Sequence, residues 1–552
     1  MILPDQWLPS DGLTLEPNAL TAVTSTEQNI VVAAGPGAGK TELLAQRADF
    51  LLRTGACPYP RRILAISFKV DAAQNLRDRV RRRAGSQLAA HFDSFTFHAF
   101  AKRIVDNYRP ALTGQYALVP NYRLDTRTRI PHEQIIFDHL VPFALEILKS
   151  TPYVRNVIRQ TYTHVFLDEF QDTTRDQYSL LRELFKGSRT FLTAVGDGKQ
   201  RIMSWAGALD GILGTFADDF SAKSLLLYQN FRSAPRLRRM QNRIIAEMDP
   251  AAVSPEEMLA GNDGAIEILD FGSNLEESKA LAERIQGWLS EGVKPSEIAV
   301  IVRQQVGLYT ALLGEELAKR GVPFRNEQET QDLNAEPAVA LIFSFLRVVT
   351  DDGQAEAYVK LMQTFNDSSH SKELRLRFDR QLKSFLYEAR KEFQASATRV
   401  GAAQVCSEWT KKFLDLVSRP TLVALSPSYQ QGGRLDEVIK QALSSFEQEL
   451  SSCGDAAMAL KRLSGKEAVR FLTIHKSKGL EFDKVIVLGI EEEMFWGNQS
   501  NALAEYFVAV SRARNHLVLT WAQFRPRPPA CRNKWIEHRN PLYSFIQFGR
   551  ED

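Results

Sequence analysis

The sequence predicts an α/β protein with two parallel-sheet domains, each interrupted by a mainly helical insertion. Three observations predict it. Short apolar runs bounded by turn residues alternate with helical stretches: NIVVAA from residue 29, RILAISF from 62, HVFLDEF from 164, TFLTAVGD from 190 and SLLLYQNF from 224. That alternation is the pattern of parallel strands joined by crossover helices. A second series follows, AIEILDF from 265, EIAVIV from 297, KVIVLGI from 484 and HLVLTWA from 516, so two sheets are the simplest count. Between these runs, residues 101–160 and about 345–462 carry few strand signals and read as helical insertions.

With 552 residues the chain has room for roughly three or four domains. Its composition, 44% hydrophobic and 24% charged with 31 Gly and 23 Pro, is that of a folded globular protein rather than a disordered or collagenous one. A balance of 69 Lys+Arg against 66 Asp+Glu points to no partner by itself, so a nucleic-acid surface would have to be a local stripe. The four cysteines, Cys57, Cys406, Cys453 and Cys531, lack C-x-x-C spacing and suggest neither zinc nor a disulfide framework. The N-terminus has no basic and apolar leader, and no apolar run approaches the ~20 residues that span a bilayer. A reduced, cytoplasmic setting without a membrane is the expectation.

Taken in order, the first strand runs into Ala34-Gly35-Pro36-Gly37-Ala38-Gly39-Lys40-Thr41, which has phosphate-loop spacing with Ala at the first glycine position. Backbone N–H groups freed by Gly35, Gly37 and Gly39, with the following helix N-terminus, can surround a polyphosphate. Lys40 would reach the β- and γ-phosphates, and the Thr41 hydroxyl would bind Mg²⁺. Such a loop serves kinases, switches, transporter subunits and motors alike. After the second strand, Arg77, Arg79, Arg81, Arg82 and Arg83 lie along a helix, where such a run either tracks phosphates or solvates a face. The strand from 164 ends in Asp168-Glu169. Asp168 can hold the metal, and Glu169 can orient or deprotonate the water that attacks the γ-phosphate. A second carboxylate suits hydrolysis better than transfer to a bound hydroxyl. Within the later insertion, Leu374, Phe378, Leu382, Phe385, Leu386, Ala389 and Phe393 recur at helical spacing, as expected of a helix packing one side on its own subdomain.

Asp168-Glu169-Phe170-Gln171-Asp172 resembles motif II of the superfamily 1 helicases related to UvrD, Rep and PcrA. Ile66-Ser67-Phe68-Lys69 with Ala72-Ala73 looks like that family's TFTNKAA segment, and Thr96-Phe97-His98 like its T-F-H motif. Val195-Gly196-Asp197-Gly198-Lys199-Gln200 through Trp205-Ala206-Gly207-Ala208 is similar to VGDDDQSIY-x-WRGA, and Gln229-Asn230-Phe231-Arg232-Ser233 to QNYRS. Thr473-Ile474-His475 with Lys478-Gly479-Leu480-Glu481-Phe482 resembles TLH…KGLEF, and Val508-Ala509-Val510-Ser511-Arg512-Ala513 resembles the final V-x-V/L-T-R-A motif.

The resemblance implies two RecA-like P-loop NTPase domains: 1–106 with 160–240, carrying a small helical insertion at 107–159, and 241–345 with 463–552, carrying a helical insertion at 346–462. ATP and Mg²⁺ would bind across the cleft, with Gln200, Arg232 and Arg512 sensing the γ-phosphate, Phe231 on the base and Glu481 on the ribose. Single-stranded DNA would be met by Phe68 and Trp205 as stacking rings and by Thr96, His98 and His475, each of which also fits a structural role. The implied activity is DNA-dependent ATP hydrolysis driving 3′→5′ translocation or unwinding. The alternative is a nucleotide-gated DNA sensor regulating a separate nuclease, as in antiphage systems. No nuclease carboxylate cluster follows the last motif, so cleavage would belong to such a partner.

The chain departs from the pattern in four places. At the register of the adenine-reading glutamine stands Ala19, beside Asn18. The arginine that usually follows GKT is Glu42, and in the third motif the tyrosine is Met203 and the arginine Ala206. These losses fall on base recognition and DNA grip. The ATPase set of Lys40, Thr41, Asp168, Glu169, Gln200, Arg232 and Arg512 is complete.

Overall fold

The computed structural model describes residues 1–552 except 69, 121, 126–128, 201–207, 328–332, 334–335, 352, 367–371, 396–398, 427–428, 430–432, 465–467, 530, 532–533 and 551–552. In chain order the strands are β1 (Ile30–Ala34), β2 (Arg62–Ser67), β3 (Phe92–Thr96), β4 (Arg123–Asp125), β5 (Gln134–Ile136), β6 (Tyr162–Leu167), β7 (Phe191–Gly196) and β8 (Lys223–Leu227). Then come β9 (Ala265–Ser273), β10 (Ile298–Val302), β11 (Phe324–Asn326), β12 (Val469–Thr473), β13 (Phe482–Val487) and β14 (Ala513–Phe524). They form two six-stranded sheets, β3-β2-β6-β7-β1-β8 and β11-β12-β10-β13-β14-β9, whose neighbours all pair in parallel.

All-parallel sheets need helices on both faces, which is why the central strands read as unbroken apolar runs. Every residue of β10 is buried. In the first sheet alternate side chains enter different cores, Leu64 and Ile66 with Phe100, Ile104 and Leu181 on one face, Ile63 and Ala65 with Leu44, Phe50 and Leu76 on the other.

Residues 101–160 are mostly the helices Phe97–Tyr108, Leu140–Ser150 and Pro152–Thr161, but they also hold the parallel pair β4–β5, which the sequence did not signal. The later insertion is a helical bundle with its own core of Phe345, Leu346, Leu386, Phe413, Phe446 and Leu460. In the helix Lys372–Ala395, Leu382, Leu386 and Ala389 are buried in that core and Phe385 and Phe393 pack on it, as the spacing predicts; the side chains of Leu374 and Phe378 lie outside the described residues. Two expected domain boundaries cut through helices. Leu237 and Met240 of Pro235–Met248, assigned with the first sheet, are buried in the core of the second, and Pro337–Thr350, expected to be divided at 345, puts its buried side chains into the bundle core as one unit.

In open parallel sheets, ligands bind beyond the carboxyl ends of strands. Those ends present Gly35–Gly39 after β1, Phe68 after β2, Thr96 and His98 after β3, Asp168 and Glu169 after β6, Asp197 after β7 and His475 after β12.

Candidate functional site

The loop after β1 leads into the helix Lys40–Arg53, whose N-cap, Gly39, has a left-handed backbone (φ 77°) and no side chain to satisfy the helix's first N–H groups. Gly37 is also left-handed (φ 71°), and a Cβ there would lie 2.2 Å from Asn230 Oδ1 and 2.6 Å from Arg232 Cβ. Glycine thus lets the Asn230–Arg232 turn close on the loop, where Phe231 N–H donates to the Gly37 carbonyl at 3.0 Å. Lys40 Nζ is buried and donates to the carbonyls of Ala34 (3.0 Å) and Gly35 (3.1 Å).

Facing it, Thr41 Oγ1 lies 3.4 Å from Asp168 Oδ2. Glu169 sits in the left-handed region (φ 51°), uncommon for a residue with a Cβ and costing on the order of 1 kcal/mol. Its N–H is held by Asp168 Oδ1 at 3.0 Å. Burial and the Glu169 charge push the Asp168 carboxyl up. Burial acts on Glu169 in the same sense, but Lys478, Lys40, the Gln171 hydrogen bond and Arg512 outweigh it and hold Glu169 ionised. Gln171 Nε2 donates to Glu169 Oε2 (2.6 Å), Gln171 Oε1 accepts from Asp197 N–H (2.9 Å), and Asp197 Oδ2 accepts from Gln200 Nε2 (2.8 Å).

The second sheet reaches into this chain of bonds at two points. Arg512 Nη2 donates to Gln200 Oε1 at 2.8 Å, and Lys478 Nζ donates to Asp172 Oδ2 and to the Gln200 carbonyl, both at 2.6 Å. Arg512 and Lys478 are buried, and burial with the nearby Arg232 charge pulls Arg512 down to about 9, still protonated at neutral pH. Arg232 donates through Nε to Glu481 Oε2 (2.8 Å) and through Nη1 to the Ser511 carbonyl (3.2 Å). The cleft so enclosed measures about 570 Å³ and brings together Gly37, Gly39, Lys40, Thr41, Asp168, Glu169, Gln200, Phe231, Arg232, Glu481 and Arg512, with Phe68 on its wall.

The remaining candidates stand elsewhere. Thr96 Oγ1 accepts from Ala99 N–H at 3.1 Å, which makes it the N-cap of Phe97–Tyr108. With His98 it lines a separate pocket of about 170 Å³ between the first sheet and the bundle residues Glu336 and Arg434. Burial, against a nearby Asp138, holds the His98 imidazole below its usual value. His475 Nε2 is 3.8 Å from Glu505 Oε1. Trp205 lies outside the described residues. Of the arginine run, Arg77 donates to the Ser94 carbonyl, and Arg79 and Arg83 both bind Glu42.

Residues 15–134 and 117–221 match the family model described as UvrD/REP helicase N-terminal domain, and residues 225–388 and 425–524 the one described as UvrD-like helicase C-terminal domain. The chain belongs to the UvrD/Rep helicase family. Relatives of this UvrD-type helicase include DNA helicase II of Escherichia coli (strain K12), 24% identical over 91% of this chain and 84% of that protein. ATP-dependent DNA helicase PcrA of Bacillus subtilis (strain 168) is 23% identical over 93% of this chain and 83% of its own.

Further contacts in and around the UvrD-type site are not signalled by the sequence. Lys478 lies in the KGLEF-like motif, and its partner Asp172 is 306 positions away. Arg303, after β10, donates to Glu505 Oε2 (2.6 Å) and to the Trp496 carbonyl (2.8 Å), and its guanidinium lies 5.2 Å from the centroid of the Trp496 ring. That ring is 61% exposed. Because Glu505 also faces His475, an aromatic surface stands beside a residue of the TIH motif. The sequence shows only a tryptophan directly after Met494-Phe495; its exposure emerges with the fold.

Proposed function

We propose that this chain is an ATP-dependent single-stranded DNA translocase and DNA helicase that moves 3′→5′, the direction resting on the motif resemblance. The observation that carries the reading is the pair of contacts, Arg512 to Gln200 and Lys478 to Asp172, through which the second sheet grips the residues around Lys40 and Glu169. In this reading the lobes are built on the two sheets, with residues 107–159 and the bundle as insertions.

The triphosphate lies on the Gly35–Gly39 loop with Lys40 at its β- and γ-phosphates, the ribose at Glu481 and the base at Phe231. Thr41 and Asp168 offer a hydroxyl and a carboxylate oxygen 3.4 Å apart, hard donors that fit Mg²⁺, and they would hold it. When bound, the metal neutralises phosphate charge. Glu169 accepts a hydrogen bond from the attacking water; Gln200, Arg232 and Arg512 meet the γ-phosphate and stabilise the charge that develops on it. Loss of that phosphate removes the anion between the lobes, and the cleft opens.

DNA is met by Phe68 and His475, by Thr96 and His98 from the separate pocket after β3, and by Trp205 in the third motif. Trp496, propped by Arg303, adds an exposed ring that can stack on a base. The Trp496→Ala variant is expected to bind oligo(dT) about 10-fold more weakly by fluorescence anisotropy, within the ~1–3 kcal/mol that one stacked base contributes. Thr96→Ala is expected to lose about 1 kcal/mol of stability in chemical denaturation, the usual value of an N-cap. Its affinity for DNA, measured under native conditions, separates capping from grip.

The deciding experiment is ATP turnover with and without single-stranded DNA, beside displacement of duplexes bearing 3′ or 5′ tails. Stimulated turnover with displacement from 3′ tails supports the reading, and displacement from 5′ tails alone refutes the direction. Turnover without displacement from either favours the alternative, a DNA sensor serving a separate nuclease, for which the four free cysteines and a nucleic-acid ligand equally suit a reducing cytoplasm.

A further inference from the structure

We propose that Glu493 is a positioning residue: by clasping Asn540 of the C-terminal segment it holds the loop after β13 so that the Trp496 ring is set to stack on a base of single-stranded DNA. The inference deepens the DNA reading above and rests on it.

A ring that projects into solvent grips a base well only if its loop is already ordered, because ordering it on binding subtracts from the affinity. Between β13 and the helix Gln499–Val510 the chain forms neither helix nor strand, so the order has to come from its neighbours. At the start of the loop, the N–H groups of Gly489 and Ile490 donate to the Thr520 carbonyl of β14 at 3.1 and 2.8 Å. The buried Glu491 carboxylate accepts from Ala522 N–H (3.1 Å) and Arg525 Nε (2.7 Å). Met494 and Phe495 then turn back on the Glu491 carbonyl at 3.0 and 3.1 Å and sink into the core of the second sheet, where the Phe495 ring meets Phe545 edge-on at 5.4 Å. Arg303 Nη1 closes the inner side on the carbonyls of Met494 (2.7 Å) and Trp496 (2.8 Å).

The outer side is closed by the C-terminal segment. Leu542 N–H donates to the Ile490 carbonyl and Glu492 N–H to the Asn540 carbonyl, both at 3.0 Å. Glu493 completes the seam with its side chain: Oε2 accepts from Asn540 N–H and Oε1 from Asn540 Nδ2, both at 3.1 Å. This clasp joins residues 47 positions apart and stands three residues before Trp496. Glu493 is half-buried and Asn540 exposed, so the clasp lies at the rim and can be cut without opening the core. Its charge works against the ligand, since a carboxylate beside a strand of phosphates repels it. Charge and positioning therefore have opposite signs: removing the carboxylate tightens DNA binding if charge is all that Glu493 supplies, and weakens it if the clasp holds the ring.

The test is a double-mutant cycle on the full chain, with affinity for labelled oligo(dT) read by fluorescence anisotropy for the wild type, Glu493→Ala, Glu493→Gln, Trp496→Ala and the double variant Glu493→Ala/Trp496→Ala, each checked for an unchanged unfolding midpoint. Glu493→Ala is expected to bind about 4-fold more weakly, part of what one stacked base contributes. Its ATP turnover without DNA is expected to match the wild type, and with DNA the half-stimulating concentration rises by the same factor while kcat is retained. Glu493→Gln keeps an acceptor for Asn540 and sheds the charge, so it is expected to bind at least as tightly as the wild type. In the Trp496→Ala background the Glu493→Ala change is expected to cost nothing further, because the ring it positions is gone. The proposal is overturned if Glu493→Ala binds DNA as tightly as the wild type or tighter, if Glu493→Gln is as weak as Glu493→Ala, or if the loss persists in full without Trp496. A Trp496→Ala protein that bound DNA like the wild type would strike the stacking reading itself, and the clasp's role with it; a weakened Trp496→Ala beside an unaltered Glu493→Ala strikes the clasp alone.

Discussion

Replacing Glu169 by glutamine is expected to lower DNA-stimulated ATP turnover by about 10³-fold, inside the 10²–10⁴ that a positioned general base contributes, while leaving nucleotide binding intact. The expectation follows from how the carboxylate is held. Glu169 is kept ionised despite burial by Lys478, Lys40 and Arg512, so at neutral pH it accepts hydrogen bonds and cannot donate one. One oxygen is already committed to Gln171 Nε2 at 2.6 Å, which leaves the other for water. Glutamine is isosteric, and its carbonyl oxygen must face Gln171, whose own Oε1 is occupied by the Asp197 N–H. The variant therefore turns an NH₂ toward the water and reverses the polarity of the one contact that matters. The left-handed backbone at this position is no harder for glutamine than for glutamate, so the turn is retained. Steady-state turnover at saturating ATP, with nucleotide affinity measured in parallel, checks it. A fall of less than about 3-fold would remove Glu169 from the reaction.

The same residue marks the boundary between what could be read in advance and what could not. Strands buried on both faces were legible because burial writes them as unbroken apolar runs, as in β1 and β10. β3, FDSFT, escaped because it is an edge strand whose Asp93 faces Arg62 and Tyr162, giving a polar residue a place inside the run. β12, VRFLT, escaped for a similar reason, since Arg470 is matched by Glu327 at 2.7 Å. Site residues were legible where one short segment supplies several of them, as in the phosphate loop and Asp168-Glu169. Pairings between lobes were not. Nothing local ties Lys478 to Asp172 or Glu42 to Arg79, because those contacts exist only once helices and lobes have packed. Thr96 shows the converse. A threonine just before an apolar helical run is itself a capping signal, and Thr96 fills that role whatever else it meets.

Arg512→Ala is expected to cost still more, about 10³–10⁵-fold in turnover, the range for an arginine that stabilises a transferring phosphoryl group from across a cleft. Arg512 stands at the end of a continuous line of hydrogen bonds that runs through Gln200, Asp197 and Gln171 to Glu169. On the proposed reading, the guanidinium that meets the γ-phosphate also fixes the far end of the line of hydrogen bonds to the carboxylate. Its Nε and Nη1 are anchored to the carbonyls of Val508 (2.8 Å) and Leu480 (3.2 Å), so the fork is held before any ligand arrives and costs no reorganisation during reaction. Lysine cannot span those acceptors and reach Gln200 together, so Arg512→Lys is expected to restore less than a tenth of the lost rate. Truncation at a buried position also leaves Gln200 Oε1 without its donor, at about 1–3 kcal/mol, and the two effects separate by readout. Loss of folding lowers the unfolding midpoint and DNA affinity together. Loss of coupling leaves nucleotide-free DNA affinity as it was and abolishes the change in that affinity on adding a nonhydrolysable ATP analogue, because the line from the second sheet to the phosphate site has been cut. An Arg512→Ala protein that still changed its grip on DNA when nucleotide bound would show that the lobes communicate by another route, with Lys478 and Asp172 the next pair to break.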